Sequence, residues 1–276
     1  MPTIDEQIRR HYQSGDLLAR ILSGLEQSGK SLSSIEIGDL APTDEFHTRG
    51  LASSVELAAL ANILTSDLVL DVGCGIGGTA RYLAKQFGCH VTGIDITEEY
   101  ISVGRALNEL VGLGERIELH CGSALDLPFE DDRFNIVWTD HVQMNIADKE
   151  NLYSEIARVL KPGGCLLFHD IFQGDGGPLY YPTPWAEDES ISALSTEAQV
   201  RSVMEGVGLI ADHWISKVPE SIVFFNKVAA RIDARGYFPL GIHLLMGENT
   251  PEKIRNLARS LSENRATVSI GLARRQ

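Results

Sequence analysis

The chain has 276 residues, enough for one large α/β domain or one domain plus a small cap, and 43% of them are hydrophobic, which excludes disorder as its default state. Its 24 Lys and Arg against 38 Asp and Glu give a formal charge of −14. That balance fits poorly with phosphate backbones or anionic membrane surfaces, both gripped by clustered basic side chains, so a small-molecule partner is expected, with no nucleic acid and no membrane.

In chain order, residues 4–28 read as one helix through Ile4, Ile8, Leu17, Leu18, Ile21, Leu22 and Leu25, and residues 47–64 as a second that feeds a first strand at 68–72. Further strands are expected at 90–95, 116–121, 134–139 and 164–169, with helices near 78–87, 98–112 and 148–160 between them. This alternation means βαβ units and a mostly parallel sheet covered on both faces. Pro162-Gly163-Gly164 stops the third of these helices. After residue 170 the pattern breaks into a Gly-, Pro- and aromatic-rich stretch, FQGDGGPLYYPTPWAEDES, which reads as a long functional loop. A helix at 196–206, a strand at 209–217, helices at 219–235 and 250–263, and a last strand, ATVSIGLARR, complete the chain. Residues 1–45 form an N-terminal helical extension or lid, and 46–276 the main domain, with cap elements at about 172–195 and 219–262.

Cys74, Cys89 and Cys165 lie in or beside apolar runs and, with Cys121, form no C-x-x-C pair, so free thiols in a reducing compartment are expected. The N-terminal MPTIDEQIRRHYQSG has no apolar signal core, and no apolar run approaches a membrane span. The expected location is the cytoplasm. His169-Asp170 is a single short pair without further spaced ligands, so no metal site is expected.

The chemistry-bearing segment is Val69-Leu70-Asp71-Val72-Gly73-Cys74-Gly75-Ile76-Gly77-Gly78, a strand, a glycine turn and a helix start. Glycines let the backbone turn sharply and let a ligand approach main-chain N–H groups. Asp95, at the end of the second strand, suits a pair of ribose hydroxyls. Gly73-x-Gly75-x-x-Gly78 also satisfies the dinucleotide pattern, so the glycines alone leave an NAD-dependent oxidoreductase open. Asp71 weighs against it: a carboxylate there can hold an ammonium but would oppose a pyrophosphate.

Together, DVGCGIGG, Asp95, Leu127-Pro128-Phe129 followed by FNIVW, and RVLKPGG resemble class I S-adenosylmethionine (SAM)-dependent methyltransferases of the UbiE and sarcosine/dimethylglycine type, over about residues 40–175. The resemblance implies a Rossmann-like seven-stranded sheet with an antiparallel last strand, SAM as cofactor and S-adenosylhomocysteine as product. It implies that Gly73, Gly75 and Gly77 pass under the amino-acid end of SAM with Asp71 near its ammonium, that Asp95 takes the ribose, and that Ile96 covers the adenine. Ser123 stands where many relatives have Asp; its hydroxyl, or the backbone at Ala124, would receive the adenine amino group. Tyr12 either covers the SAM carboxylate or packs an amphipathic helix. His47 either caps the site or makes a local helix-start bond.

His141, at the end of the fourth strand, is the candidate general base, with a pocket-lining role as the alternative. Gln143 and Asn145 could position an acceptor. Tyr180, Tyr181 and Trp185, with Phe172, either face a flat or cationic substrate or pack their loop. Ile222, Phe224, Phe225 and Val228 on the 219–235 helix form an apolar cap or a dimer surface, and a cap of that kind suits a lipophilic acceptor. A homo-oligomer, and a non-catalytic SAM-binding protein, stay open at this stage.

Overall fold

The computed structural model describes residues 3–44 and 46–276. Its centre is a seven-stranded sheet: β1 (Leu68–Val72), β2 (His90–Asp95), β3 (Ile117–Cys121), β4 (Phe134–Asp140), β5 (Leu160–Gln173), β6 (Leu209–Ser216) and β7 (Ala266–Arg275). The order is β3-β2-β1-β4-β5-β7-β6, with β7 antiparallel to both neighbours and the first five strands parallel. The expected sheet is therefore present. The parallel order reverses direction between β1 and β4, which opens a crevice at their C-terminal ends.

Helices α5 (Gly78–Phe87), α6 (Glu98–Leu110) and α7 (Lys149–Val159) make the crossovers, and α8 (Glu197–Gly206) precedes β6. Alternation along β1 sends Val69 to one core, with Leu57, Leu83, Trp138 and Leu167. Leu70 and Val72 go to the other, with Phe134, Leu152, Ile156 and Phe168. Two-sided burial is why these strands read as continuous apolar runs. The fifth strand is longer than expected, because Ile171 and Phe172 are buried core residues that continue the pairing with β7. Phe172 is thus sheet core and not part of an aromatic loop.

The N-terminal flank differs from its reading as one helix. α1 (Ile4–Tyr12) and α2 (Leu17–Gln27) are separated by a corner in which Gly15 takes φ 87°. Glu99 of α6 holds that corner: its carboxylate accepts from the N–H groups of Ser14 at 2.6 Å and Leu17 at 3.1 Å, so the first turn of α2 is capped by another element. A helix that the sequence reading missed, α3 (Ile37–Asp44), follows, and the expected 47–64 helix is only α4 (Leu51–Ala58), entered through a turn at 47–50. Over the C-terminal strand ends lie α9 (Val218–Arg235), the short α10 (His243–Met246) and α11 (Thr250–Ser262). Among the described residues no helix is long and apolar enough to cross a membrane. Cys74, Cys89 and Cys165 are buried free thiols and Cys121 is exposed.

α3 is locked to the glycine-loop helix by a buried ion pair. Arg81 donates to both oxygens of Asp44, at 2.9 and 2.5 Å, and to Asn108, and its side chain is fully excluded from solvent. Gly78 lies so close beneath that a Cβ there would sit 2.1 Å from the Asp44 carbonyl oxygen. Arg81→Leu strips a buried carboxylate of its guanidinium, so urea unfolding is expected to show a loss of about 3–5 kcal/mol. A change below about 1 kcal/mol would mean that the pair contributes little.

Candidate functional site

A cavity of about 420 Å³ occupies the crevice. Its floor is the turn after β1. Gly73 and Gly75 hold φ of 71° and 53°, a region unfavourable to any other residue type. A Cβ on Gly73 would lie 2.4 Å from Val142, whereas Gly75 has open space in front of it, as a close-approaching ligand requires. Asp95 stands beside this turn. One oxygen accepts from Gly75 N–H at 3.0 Å and the other from Thr97 N–H at 2.8 Å, so the carboxylate is fixed in orientation and keeps lone pairs for a ligand. Ile96, Ser123, Ala124 and Leu125 continue the wall, with the Ser123 hydroxyl accepting from Leu125 N–H.

Period-two geometry builds the opposite end. Asp71, Trp138 and Leu167 share a sheet face, so Asp140 and His169, two residues further along β4 and β5, project on that face as direct register partners. His169 Nδ1 donates to Asp140 Oδ1 at 2.9 Å, and Trp138 Nε1 donates to the other oxygen at 2.6 Å. His47, from the turn before α4, brings its ring to 5.8 Å from that of His169. His141, with φ 53°, brings its ring to 4.4 Å from the same imidazole. Thr48 N–H donates to His141 Nε2 at 2.9 Å, so the neutral ring carries its proton on Nδ1.

The roof is apolar: Ile8, Phe46, Met144, Trp185, Phe225 and Met246. α1 closes over one side, where the buried Tyr12 hydroxyl donates to Asn145 Oδ1 at 3.1 Å.

Residues 70–168, which carry the glycine turn, Asp95, Asp140 and His141, match the family model described as a methyltransferase domain. Over that segment the chain is similar to methyltransferase domains. It is 31% identical over 168 residues to the glycine/sarcosine/dimethylglycine N-methyltransferase of Actinopolyspora halophila, covering 61% of this chain and 30% of that protein. The chain spans half or less of the length of the first curated relatives it matches. Two solved structures share the fold over nearly the whole chain. The geranyl diphosphate C-methyltransferase of Streptomyces coelicolor has a TM-score of 0.74 at 16% identity, covering 100% of this chain and 99% of that one. The [4+2]-cyclase SpnF has a TM-score of 0.71 at 20% identity, covering 99% and 96%. The architecture is the Rossmann-like fold of SAM-dependent methyltransferases.

The fold brings together most of the residues singled out in the sequence. Tyr12, His47, Asp71, Gly73, Gly75, Asp95, Ile96, Ser123, Ala124, His141 and Trp185 all line the cavity. Four do not. Gly77 turns its Cα away from the cavity, toward Arg81 and Leu119, and starts α5 with φ 82°. Gln143 is buried behind the wall, donating to the Ile171 carbonyl at 2.7 Å. Tyr180 lies at the surface, its ring between the guanidinium groups of Arg259 and Arg265 and its hydroxyl bonded to Glu263. Tyr181 packs half-buried against the cap core with its hydroxyl on Ser192. Trp185 is the aromatic of that loop that turns inward, fully buried and anchored by Ser192. The sequence reading missed Thr48, Phe46, Asp140 and Met246. It also set His169 aside as part of an isolated short pair, whereas its ring sits in the polar cluster.

Burial dominates the electrostatics here. It lowers His141 well below the ordinary imidazole value, with the neighbouring His169 acting in the same direction, and it lowers His169 against the pull of Asp140. Asp140 goes the other way: despite burial, His47, His169 and Trp138 hold it well below the usual carboxylate range. Asp71 is raised, first by burial and then by Asp140 and Asp95.

Asp170, behind this cluster, accepts from Val142 N–H at 3.0 Å and is pushed up to about 8 by burial. A raised carboxyl contributes stability that is fully present below its unfolded value near 4 and lost as pH rises toward 8. Asp170→Asn keeps an acceptor for Val142 and removes the charge. Its stability relative to the unaltered protein is therefore expected to improve from pH 5 to 8, with a slope no steeper than about 1.4 kcal/mol per unit. Parallel denaturation curves across that range check this; a pH-independent difference would contradict it.

Proposed function

We propose that the chain is a SAM-dependent methyltransferase that methylates a small, largely apolar acceptor. The observation that carries this is the pairing of an oriented acidic clamp, Asp95 beside the open face of Gly75, with an apolar roof across the same cavity. The buried Asp71 oxygen Oδ2, without a hydrogen-bond partner, suits an ammonium group. In this reading Gly73 and Gly75 support the methionine part of SAM beside Asp71, Asp95 takes both ribose hydroxyls, and Ile96, Ser123 and Ala124 hold the adenine. Tyr12 and α1 close the site and exclude water.

SAM supplies a methyl group on a sulfonium, transferred by SN2 displacement with the C–S electron pair returning to sulfur. The protein's work is then alignment and exclusion of water. Phe46, Met144, Trp185, Phe225 and Met246 seat the acceptor. His141, held neutral by burial, is the base where the acceptor carries a proton; its Nε2 accepts from Thr48 N–H, so taking that proton displaces this bond. The lid of residues 1–45 and the caps at about 172–195 and 219–262 control entry. A cytoplasmic setting suits three buried free thiols.

The test is methyl-labelled SAM offered with metabolite extracts and a panel spanning isoprenoids, phenols and small amines. Label is expected in apolar acceptors. Transfer to glycine or sarcosine alone would reject the acceptor class. SAM binding with no transfer to any fraction would favour a protein that uses the fold for other chemistry, a reading that the likeness to a cyclase keeps in play.

A further inference from the structure

We propose that His47, Asp140 and His169 bind one divalent transition-metal cation, of the zinc, cobalt(II) or iron(II) kind, in the wall of the same cavity. One ligand atom from each lies within 4.8 Å of those of the other two. Asp140 Oδ1 and His169 Nδ1 are already 2.9 Å apart, and bonds of about 2.1 Å to a shared ion need ligand atoms roughly 3–3.5 Å apart. Closure therefore asks at most roughly 1–2 Å of adjustment. His47 supplies it most readily, because it stands on the turn before α4 and not within a strand.

Two imidazoles and one carboxylate suit a borderline divalent ion, and three protein ligands leave coordination positions free. His47 and Asp140 line the cavity whereas His169 is wholly buried behind them, so the free positions face the acceptor side. The supporting bonds have the form that metal ligands require. His47 Nδ1 pairs with Ser53 Oγ at 3.1 Å, whose own proton serves the Thr48 and Gly50 carbonyls; Nε2 is then the lone-pair atom, and a metal would replace its 3.4 Å contact with Ser54 Oγ. Trp138 Nε1 and Thr79 Oγ1 both donate to Asp140 Oδ2, fixing the carboxylate plane.

The surroundings independently call for positive charge. Asp71, Asp95 and Asp140 converge on one cavity, and among the described residues neither lysine nor arginine bonds to any of them. Asp71 Oδ2, which faces the SAM ammonium in the reading above, and His169 Nε2 are buried acceptor atoms without a hydrogen-bond partner at this end of the sheet. Unpartnered buried acceptors suit a cation or its water shell. The consequence for chemistry rests on the methyl-transfer reading; the site does not. A cation there lowers the proton affinity of an acceptor oxygen. The hydroxyl proton passes to His141 Nε2 as that atom gives up its bond to Thr48 N–H, an oxygen lone pair forms the new O–C bond, and the C–S pair returns to sulfur. The acceptor class narrows to oxygen nucleophiles.

The experiment uses the full chain stripped with chelator, titrated with CoCl₂ and read by visible absorption. The expected result is one equivalent bound, with ligand-field bands that added Zn²⁺ abolishes. His47→Gln and Asp140→Asn are each expected to weaken Co²⁺ binding tenfold or more, while His90→Gln, on an exposed strand end, leaves it unchanged. Thermal melts check each variant. If Asp140→Asn does not fold, His47→Gln decides. Non-saturating uptake, or uptake unaffected by His47→Gln, overturns the site. SAM binding is measured separately on the same stripped protein. SAM binding with no saturable Co²⁺ uptake refutes the metal site and leaves the methyltransferase reading standing, and saturable Co²⁺ uptake with no SAM binding does the reverse.

Discussion

Asp95→Ala is expected to weaken SAM binding by a factor of about 30 to 1,000, or ~2–4 kcal/mol, through loss of two hydrogen bonds to a charged acceptor. The carboxylate also holds the Gly75 and Thr97 N–H groups, so part of the loss could come from a loosened turn. A 2′-deoxyribose analogue of SAM separates the two causes. The unaltered protein should discriminate strongly against it, and Asp95→Ala should not. Equal discrimination in both proteins would mean that the ribose is held elsewhere.

His141→Ala is expected to lower kcat by about 100- to 10,000-fold on an acceptor that carries a transferable proton, with SAM affinity changed by no more than a few-fold. His141 touches the cavity at the acceptor side of the turn, and Gly73 packs against the adjacent Val142, so the cofactor floor does not depend on the imidazole itself. The pH profile carries a second expectation. Because burial and His169 hold His141 below the ordinary imidazole value, the acid limb of kcat/KM should lie below pH 6.5. A limb at or above 6.5 would place the base elsewhere. Full turnover in the variant would reduce His141 to a wall residue.

The glycine-turn half of the cavity could be read from the sequence because it is local. Asp71, Gly73 and Gly75 lie within five residues, and Asp95 ends the very next strand, so one βαβ unit places all four. The histidine cluster could not be read the same way. Asp140 and His169 meet through parallel register between strands 29 residues apart, and His47 joins them through a turn whose position follows from packing of α4. A signal was present: Asp140 and His169 each stand two residues beyond a buried apolar residue, Trp138 and Leu167, which is the spacing of one sheet face.

The long 4–28 helix failed for a related reason. Its apolar spacing spans Gly15, but Glu99 offers the corner a carboxylate that no local pattern reveals. In the aromatic loop, composition could not separate inward from outward. Trp185 turns in because Ser192 receives its N–H, and Tyr180 turns out because two arginines and Glu263 hold it there.

The central claim is that the glycine turn holds SAM and not a dinucleotide. Equilibrium dialysis of the purified chain against radiolabelled SAM and, separately, radiolabelled NAD tests it most directly. The account predicts one SAM bound per chain, displaced by S-adenosylhomocysteine and strongly weakened in Asp95→Ala, with no saturable NAD binding. Saturable NAD binding without SAM binding would contradict it.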